Sequence, residues 1–166
     1  AVFEIRVDGS EGRLGENGFD EAAFLISTNP GEPVRELAQV ASGGELSRIM
    51  LALKTVLADK DRIETLIFDE IDTGISGRTA WKVSEKMGIL GKDHQLICIT
   101  HLPQIAAMAD THFMIEKQVV DSRSTTQIRE LLPKESVEEL ARMLGGDEIT
   151  PSALQNAREM KELAEK

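Results

Sequence analysis

The spacing of apolar residues predicts two strands at the start of the chain. Apolar and polar side chains alternate over residues 1–8 and 21–28, which indicates strands that can pair in an antiparallel way. Residues 9–20 between them are rich in glycine and charge and predict a connecting loop. The run Asn-Pro-Gly-Glu-Pro over 29–33 predicts a turn that ends this region.

The pattern then changes to helices that alternate with short apolar runs. Helices are predicted over 42–58 and 77–90, and buried strands with polar ends over 63–68 and 96–100. The apolar positions expected to face a core are Leu46, Ile49, Met50, Leu53 and Leu57 in the first helix and Ala80, Val83, Met87 and Leu90 in the second. This alternation predicts an α/β fold, a layered sheet flanked by helices.

The last part of the chain shows both the helical and the strand spacing of apolar residues. A short helix is predicted over 103–109, strands over 112–117 and 126–131, and helices over 137–144 and 151–165. Two glycines close the first of these last helices, and a Thr-Pro pair opens the second as a cap followed by proline.

The composition is that of a globular domain in a reducing compartment. The 166 residues are 41% apolar and 29% charged, and no apolar run approaches the roughly 20 residues that span a bilayer. The net charge of −10 argues against a large nucleic-acid surface on this segment, because phosphate contacts need clustered Lys and Arg. Cys98 is alone within an apolar run and indicates a buried thiol. We therefore expect residues 1–166 to form one cytoplasmic domain with no membrane contact.

Ser42-Gly43-Gly44-Glu45 opens the first central helix and has two interpretations. In the structural one, Ser42 and Glu45 form a capping box. In the chemical one, Gly43 and Gly44 expose backbone N–H groups to a phosphate, whose charge the helix N-terminus favours. The motif by itself leaves both interpretations open.

Polar residues also follow the two central strands. Asp69 and Glu70 form a pair in which the first acid can hold Mg²⁺ and the second can act on an attacking water. His101 follows the next strand and can donate to a γ-phosphate. Each has a simpler interpretation, as a solvated strand end or a helix cap. Their order favours a site, because parallel strands of an α/β sheet end at one edge, where ligands bind.

A nucleotide site of this type also needs a glycine loop, G-x-x-x-x-G-K-[ST], that cradles the phosphates. The sequence contains no such loop, since the nearest string, at 88–93, has the wrong glycine spacing and no hydroxyl after its lysine. The chain does not begin with methionine either. We expect it to be an excised part of an ATPase whose phosphate loop lies on another segment.

These motifs together resemble a known family. The motif at 42–45 is similar to the ABC-type signature, the run at 66–70 to a Walker B strand, and His101 to the switch histidine. The longer stretches that carry the resemblance are 41–54, 68–77 and 100–106. They resemble the bacterial RecN family of SMC-like DNA repair ATPases, and the chain would be the C-terminal half of its ABC-type, P-loop NTPase head.

The resemblance implies a role for each residue. Asp69 would hold Mg²⁺ through water, Glu70 would be the catalytic base, and His101 would sense the γ-phosphate of ATP. The residues that would bind ATP held by a second head, in a homodimer, are Ser42, Gly43, Gly44 and Glu45. The N-terminal Walker A half of the same protein, beyond a long coiled coil, would complete each head. The complete protein would act on DNA in recombinational repair of double-strand breaks, at the nucleoid.

Two other functions share part of this pattern. A nucleotide-binding subunit of a membrane transporter would carry all three motifs, but a Pro-Thr-Ser-Ala-Leu-Asp-like run is expected where this chain has residues 71–76. A non-hydrolysing SMC-type dimerisation scaffold would not need Glu70. Many ABC proteins have aspartate where this chain has Ser76, and the resemblance gives neither Ser76 nor Asp72 a role.

Overall fold

The computed structural model divides the chain into two compact units, Ala1–Ser42 and Gly43–Lys166. The residues that the structure describes are 1–9, 14–16, 18–27, 31–40, 42–57, 63–120, 123–146 and 148–164. Among them, no helix has both the length and the apolar character needed to cross a membrane.

The first unit contains a small antiparallel sheet. Its elements are β1 (Val2–Gly9), β2 (Asp20–Ser27), β3 (Arg35–Glu36) and the short helix α1 (Leu37–Val40). Strand β2 lies between β1 and β3, and the rings of Phe3 and Phe24 stack across β1 and β2 with centroids 5.7 Å apart. The two predicted strands and their antiparallel pairing are confirmed. Much of the predicted loop and turn, at 10–13, 17 and 28–30, falls outside the described residues.

The second unit begins with a two-stranded parallel sheet and its helices. The elements are α2 (Gly43–Leu57), β4 (Thr65–Phe68), α3 (Gly77–Leu90) and β5 (Gln95–Cys98). Leu66 pairs with Leu96 and Phe68 with Cys98, so the two strands end together. Helix α3 is the crossover that parallel neighbours require. The predicted central elements are confirmed, except that Ala58, the expected end of the first helix, is not among the described residues.

One face of this sheet carries a core. The buried residues that pack together there are Leu51, Phe68, Ile71, Val83, Met87, Leu90 and Ile105. Each such side chain contributes about 1.5–3 kcal/mol when it leaves water. The apolar stripe predicted on α3 is confirmed, since all four of its residues are buried.

Two predictions about burial are wrong. On α2, the predicted core residues Leu46, Met50 and Leu57 are 43%, 41% and 48% exposed, and Leu51 faces the core instead. The central strands are not buried on both faces either, because Ile67 and Ile97 are exposed. Side chains alternate between the two faces of a sheet, and only one face of β4 and β5 packs against the core that α2 and α3 share.

The remaining elements complete the second unit. They are α4 (Pro103–Ala106), β6 (Phe113–Val120), β7 (Arg123–Glu130), α5 (Pro133–Gly145) and α6 (Pro151–Ala164). Both strands were predicted with shorter bounds, and β6 and β7 pair in an antiparallel way. A second core, which includes Ala106, Leu140, Ala157 and Met160, joins α4 to α5 and α6.

The ends of these helices agree only in part with the predicted bounds. Helix α5 begins at Pro133 rather than at residue 137, because the Glu135 carboxylate accepts a hydrogen bond from the Leu132 N–H at 2.8 Å and closes the first turn. Helix α4 ends at Ala106, short of the predicted residue 109. Thr150 caps α6 as predicted, with its Oγ1 accepting from the Ala153 N–H at 3.1 Å.

Candidate functional site

The carboxyl ends of β4 and β5 lie side by side, so the residues that follow them meet at one edge. The Ile99 N–H donates to the Phe68 carbonyl at 3.1 Å and extends the pairing beyond both strands. Asp69 and Glu70 leave the edge from β4, and His101 leaves it from β5. The structure therefore brings the acid pair and the histidine to the same edge of the sheet.

Asp69 and Glu70 form a tight turn at this edge. The Glu70 N–H donates to Asp69 Oδ1 at 2.9 Å, and the Glu70 carbonyl accepts from the Thr73 N–H at 3.0 Å. Glu70 has a φ of 57°, the left-handed region that costs a residue with a side chain roughly 1–2 kcal/mol. Both side chains are exposed. The hydrogen bonds hold a strained backbone that directs two carboxylates toward solvent.

The first turn of α2 packs directly against Glu70. A Cβ on Gly43 would collide with Glu70 Oε2. A Cβ on Gly44 would lie 2.7 Å from the Glu70 carbonyl oxygen and 3.0 Å from the Thr73 Cβ. Both positions therefore need glycine for the helix to approach the acid pair. The sequence analysis did not reveal this reason for the two glycines. The Glu70 carboxylate also lies near the positive end of the α2 dipole, where negative charge is favoured.

Two residues of α2 that the sequence analysis missed fix this turn. Ser47 Oγ donates to the Asp69 carbonyl at 2.8 Å. Arg48 Nη1 donates to the carbonyls of Ile71 and Thr73 at 3.0 and 2.9 Å. The available signal was helical spacing, because residues three and four positions after Gly44 share its face of the helix.

Asp72 is the other residue that the sequence analysis left without a role. Its Oδ2 atom accepts two hydrogen bonds, from Thr100 Oγ1 at 2.6 Å and the His101 N–H at 2.8 Å, and it lies 2.9 Å from His101 Nδ1. The Asp72 side chain is 4% exposed, whereas that of His101 is 72% exposed. An exposed ring is thus held by a buried carboxylate. The sequence gives only a faint signal for this, a further acid two residues beyond Glu70.

The electrostatics of the edge favour an ionised Asp72. Burial acts to raise the pKa of this carboxyl, but the hydrogen bonds from Thr100 and His101 and the charge of His101 outweigh burial and lower the pKa. Burial first, and then the charges of Asp72 and Asp69, raise the pKa of the Cys98 thiol to about 12. Cys98 therefore stays protonated and packs against the core as an apolar residue.

The remaining predicted residues lie at the start of α2. Glu45 is half-buried in its first turn, and Ser42 is the last residue of the first unit. The His101 ring lies against Asp72, with Nδ1 2.9 Å from Oδ2. Within the described parts of the chain, no group of three or more His, Cys, Asp or Glu side chains could hold a metal ion by itself.

Two curated relatives are similar to almost all of this sequence. The DNA repair protein RecN of Halalkalibacterium halodurans is 50% identical over 165 residues, 98% of this chain and 29% of the relative. The DNA repair protein RecN of Bacillus subtilis is 47% identical over 159 residues, 96% of this chain and 28% of the relative. The chain is RecN-like over nearly its whole length. It spans less than a third of these relatives, and no protein-family model matches it.

Two solved structures share the fold of this RecN-like chain. One comes from work on ATP-driven dimerization and DNA stimulated activation of SMC ATPases. It matches with a TM-score of 0.51 and 16% identity, and the match covers 86% of this chain and 81% of that one. The Smc head domain with a coiled coil and joint from Pyrococcus yayanosii matches with a TM-score of 0.56 and 20% identity, covering 83% of this chain and 25% of that one. The α/β fold is therefore that of an SMC ATPase head.

Proposed function

We propose that this chain is the ATP-hydrolysing C-terminal head segment of a RecN-like protein that acts in recombinational repair of DNA double-strand breaks. The observation that carries the proposal is the meeting of Asp69, Glu70 and His101 with the Gly43-Gly44 helix start at one sheet edge, in a chain about half identical to RecN. The nucleoid is the place of action that this repair role implies.

Asp69 fits a magnesium ligand of the kind used with nucleotides. Its Oδ1 accepts from the Glu70 N–H, while Oδ2 has no hydrogen-bond partner among the described residues. Mg²⁺ in such sites takes one or two carboxylates and completes its shell with phosphate and water, so a single exposed carboxylate is sufficient. The ion would neutralise charge on the phosphates, and Asp69 would hold it through water.

Glu70 fits the base that activates the attacking water. Its carboxylate is exposed, and the turn from Asp69 to Thr73 fixes its backbone. A carboxylate one residue beyond the magnesium ligand can accept a proton from a water near the same phosphate. Glu70 would take up that proton on its carboxylate, and His101 would donate to the γ-phosphate.

The start of α2 would serve a second head. Gly43 is exposed at a helix N-terminus, where backbone N–H groups and the helix dipole favour phosphate. In this proposal Ser42, Gly43, Gly44 and Glu45 bind ATP that the partner head of a homodimer holds. The complete homodimer, rather than this acidic segment alone, would carry the DNA contacts.

The N-terminal Walker A half of the same protein would complete each head. The uncovered apolar side chains of Ile67 and Ile97 on the sheet, and of Leu46 and Met50 on α2, support this part of the proposal. Apolar surface that is contiguous and exposed is usually covered by another chain or segment. The phosphate loop that the sequence lacks would come with that half.

The experiment is ATP hydrolysis by this chain, by an N-terminal segment with the G-x-x-x-x-G-K-[ST] loop, and by their mixture. We expect turnover only in the mixture. Glu70→Gln should lower turnover by about 10²–10⁴-fold and keep ATP binding, because the water loses its proton acceptor. Binding of a fluorescent ATP analogue separates the two effects.

Glu64→Gln is the matched control, since Glu64 is an exposed glutamate just before β4. It should leave turnover unchanged. Wild-type turnover in the Glu70→Gln mixture would remove Glu70 from the role of base. A folded mixture without activity would favour a dimerisation scaffold, and activity of this chain alone would overturn the composite site.

A further inference from the structure

Two hydrogen bonds and a close ring contact converge on one oxygen of Asp72. The carboxylate accepts from the His101 backbone N–H at 2.8 Å, and the same oxygen lies 2.9 Å from the ring Nδ1. Thr100 Oγ1 adds the second hydrogen bond at 2.6 Å and itself accepts from the Leu102 N–H at 3.0 Å. The segment after β5 is thus fixed to a single buried carboxylate.

The contact gives the two ring nitrogens of His101 different surroundings. Nδ1 lies 2.9 Å from the Asp72 carboxylate, which can only accept, so a proton on Nδ1 is favoured. Nε2 is the ring atom left for a ligand, and the structure gives it no partner among the described residues. Nε2 can donate to a phosphate only when it is protonated as well, as in the imidazolium form of the ring. Asp72 therefore favours a ring that carries protons on both nitrogens when Nε2 meets a phosphate.

The turn that carries Asp72 is itself fixed to α2. Arg48 holds the carbonyls on either side of Asp72, those of Ile71 and Thr73, at 3.0 and 2.9 Å. Arg48 lies one turn after Gly44, which packs against Glu70. A continuous set of hydrogen bonds and contacts thus joins the start of α2 to His101 through Asp72.

We propose that Asp72 is the positioning residue for His101, and that it aims Nε2 of the ring at the terminal phosphate while linking the ring to the first turn of α2. This inference rests on the proposed ATPase function for its ligand. Its geometric part, the orientation of the ring, stands without that function. Asp72 would not touch the nucleotide, since its side chain is buried beneath the ring.

A double-mutant cycle in the complete protein tests the link. We expect Asp72→Ala to lower kcat roughly 10- to 100-fold, by analogy with the loss of carboxylates that orient metal-bound histidines. Asp72→Asn keeps an acceptor without the charge and should lie between Asp72→Ala and wild type. His101→Ala with Asp72→Ala should be no slower than His101→Ala alone, because Asp72 acts through the ring. Losses that multiply would overturn the proposal.

The protonation of the His101 ring is a readout that a merely structural role of Asp72 would not change. In the complete protein labelled with ¹⁵N-histidine, the His101 signals, assigned by their loss in His101→Gln, should show a protonated Nδ1. In Asp72→Ala the Nδ1 proton should be lost, so that only Nε2 stays protonated. An unprotonated Nδ1 in the wild type, or an unchanged spectrum in Asp72→Ala, would overturn the proposal.

Two further variants keep the test decisive. Asp110→Ala is the matched control, because Asp110 is an exposed aspartate outside the sheet edge and should change neither kcat nor the spectrum. If Asp72→Ala does not fold, Thr100→Val removes one of the two hydrogen bonds and should weaken turnover less than Asp72→Asn. If the protein hydrolyses no ATP, the proposed function fails, whereas the measurement of ring protonation still decides the role of Asp72.

Discussion

Helices α2 and α3 carry apolar stripes of the same spacing, yet only one stripe is buried. In α3, Met87 is 6% and Leu90 is 1% exposed. In α2, Met50 and Leu57 are 41% and 48% exposed, and the core contact comes from Leu51 on another side of the helix. Periodicity identifies a helix and its apolar side, but not what covers that side.

The difference has a physical cause in what each helix must contact. Helix α3 crosses between two strands and has to lie on their shared face. Helix α2 is held through its first turns, where Gly44 and Arg48 contact the turn after β4. Those polar and backbone contacts determine which face of α2 points toward the core. Much of the apolar stripe of α2 is left exposed.

The largest effect is expected in the core of α3. Leu90→Ala removes a side chain that is 1% exposed and should lower the free energy of unfolding by about 2–5 kcal/mol, because it leaves a cavity. Leu57→Ala at the end of α2 is the matched control and should cost less than about 0.5 kcal/mol. Urea denaturation of the chain measures both. Equal losses would contradict the difference between the two helices.

An intermediate effect is expected from adding a methyl group to a glycine of each helix. Gly44→Ala should destabilise the chain by about 1–3 kcal/mol, because the new Cβ would lie 2.7 Å from a backbone oxygen of Glu70. Gly88→Ala is the comparison in α3, where the new Cβ meets only the terminal methyl of Met108, which can move. There the higher helix propensity of alanine, about 1 kcal/mol, should offset the crowding. In thermal unfolding, the midpoint temperature of Gly44→Ala should be lower than that of Gly88→Ala.

The smallest effect is expected on the exposed stripe of α2. Met50→Gln should change the unfolding free energy of this chain by less than about 0.5 kcal/mol, since Met50 is already in contact with water. The same substitution should weaken association with the N-terminal half, which calorimetric titration of the two segments measures. Unchanged association would show that the stripe of α2 is not the covered surface.

The sequence predicted much of the site region because its signals are local. The acid pair and the histidine could be placed at one sheet edge from strand order alone, and the structure brings them there. Asp72 and Arg48 could not be found in this way. Their partners lie 20 or more positions away in sequence, at Thr100 and His101 for one and at Ile71 and Thr73 for the other.

The amino-acid sequence by itself determined the order of strands and helices, the identity of the chemical groups and the RecN resemblance. These depend on periodicity, caps and short motifs, whose physics acts over a few residues. Only the tertiary structure decided that Gly43 and Gly44 make room for Glu70, that Asp72 holds His101, and that α2 turns Leu51 inward. Such contacts depend on which distant segments meet, and close packing then selects one face and one rotamer among several that the local sequence allows.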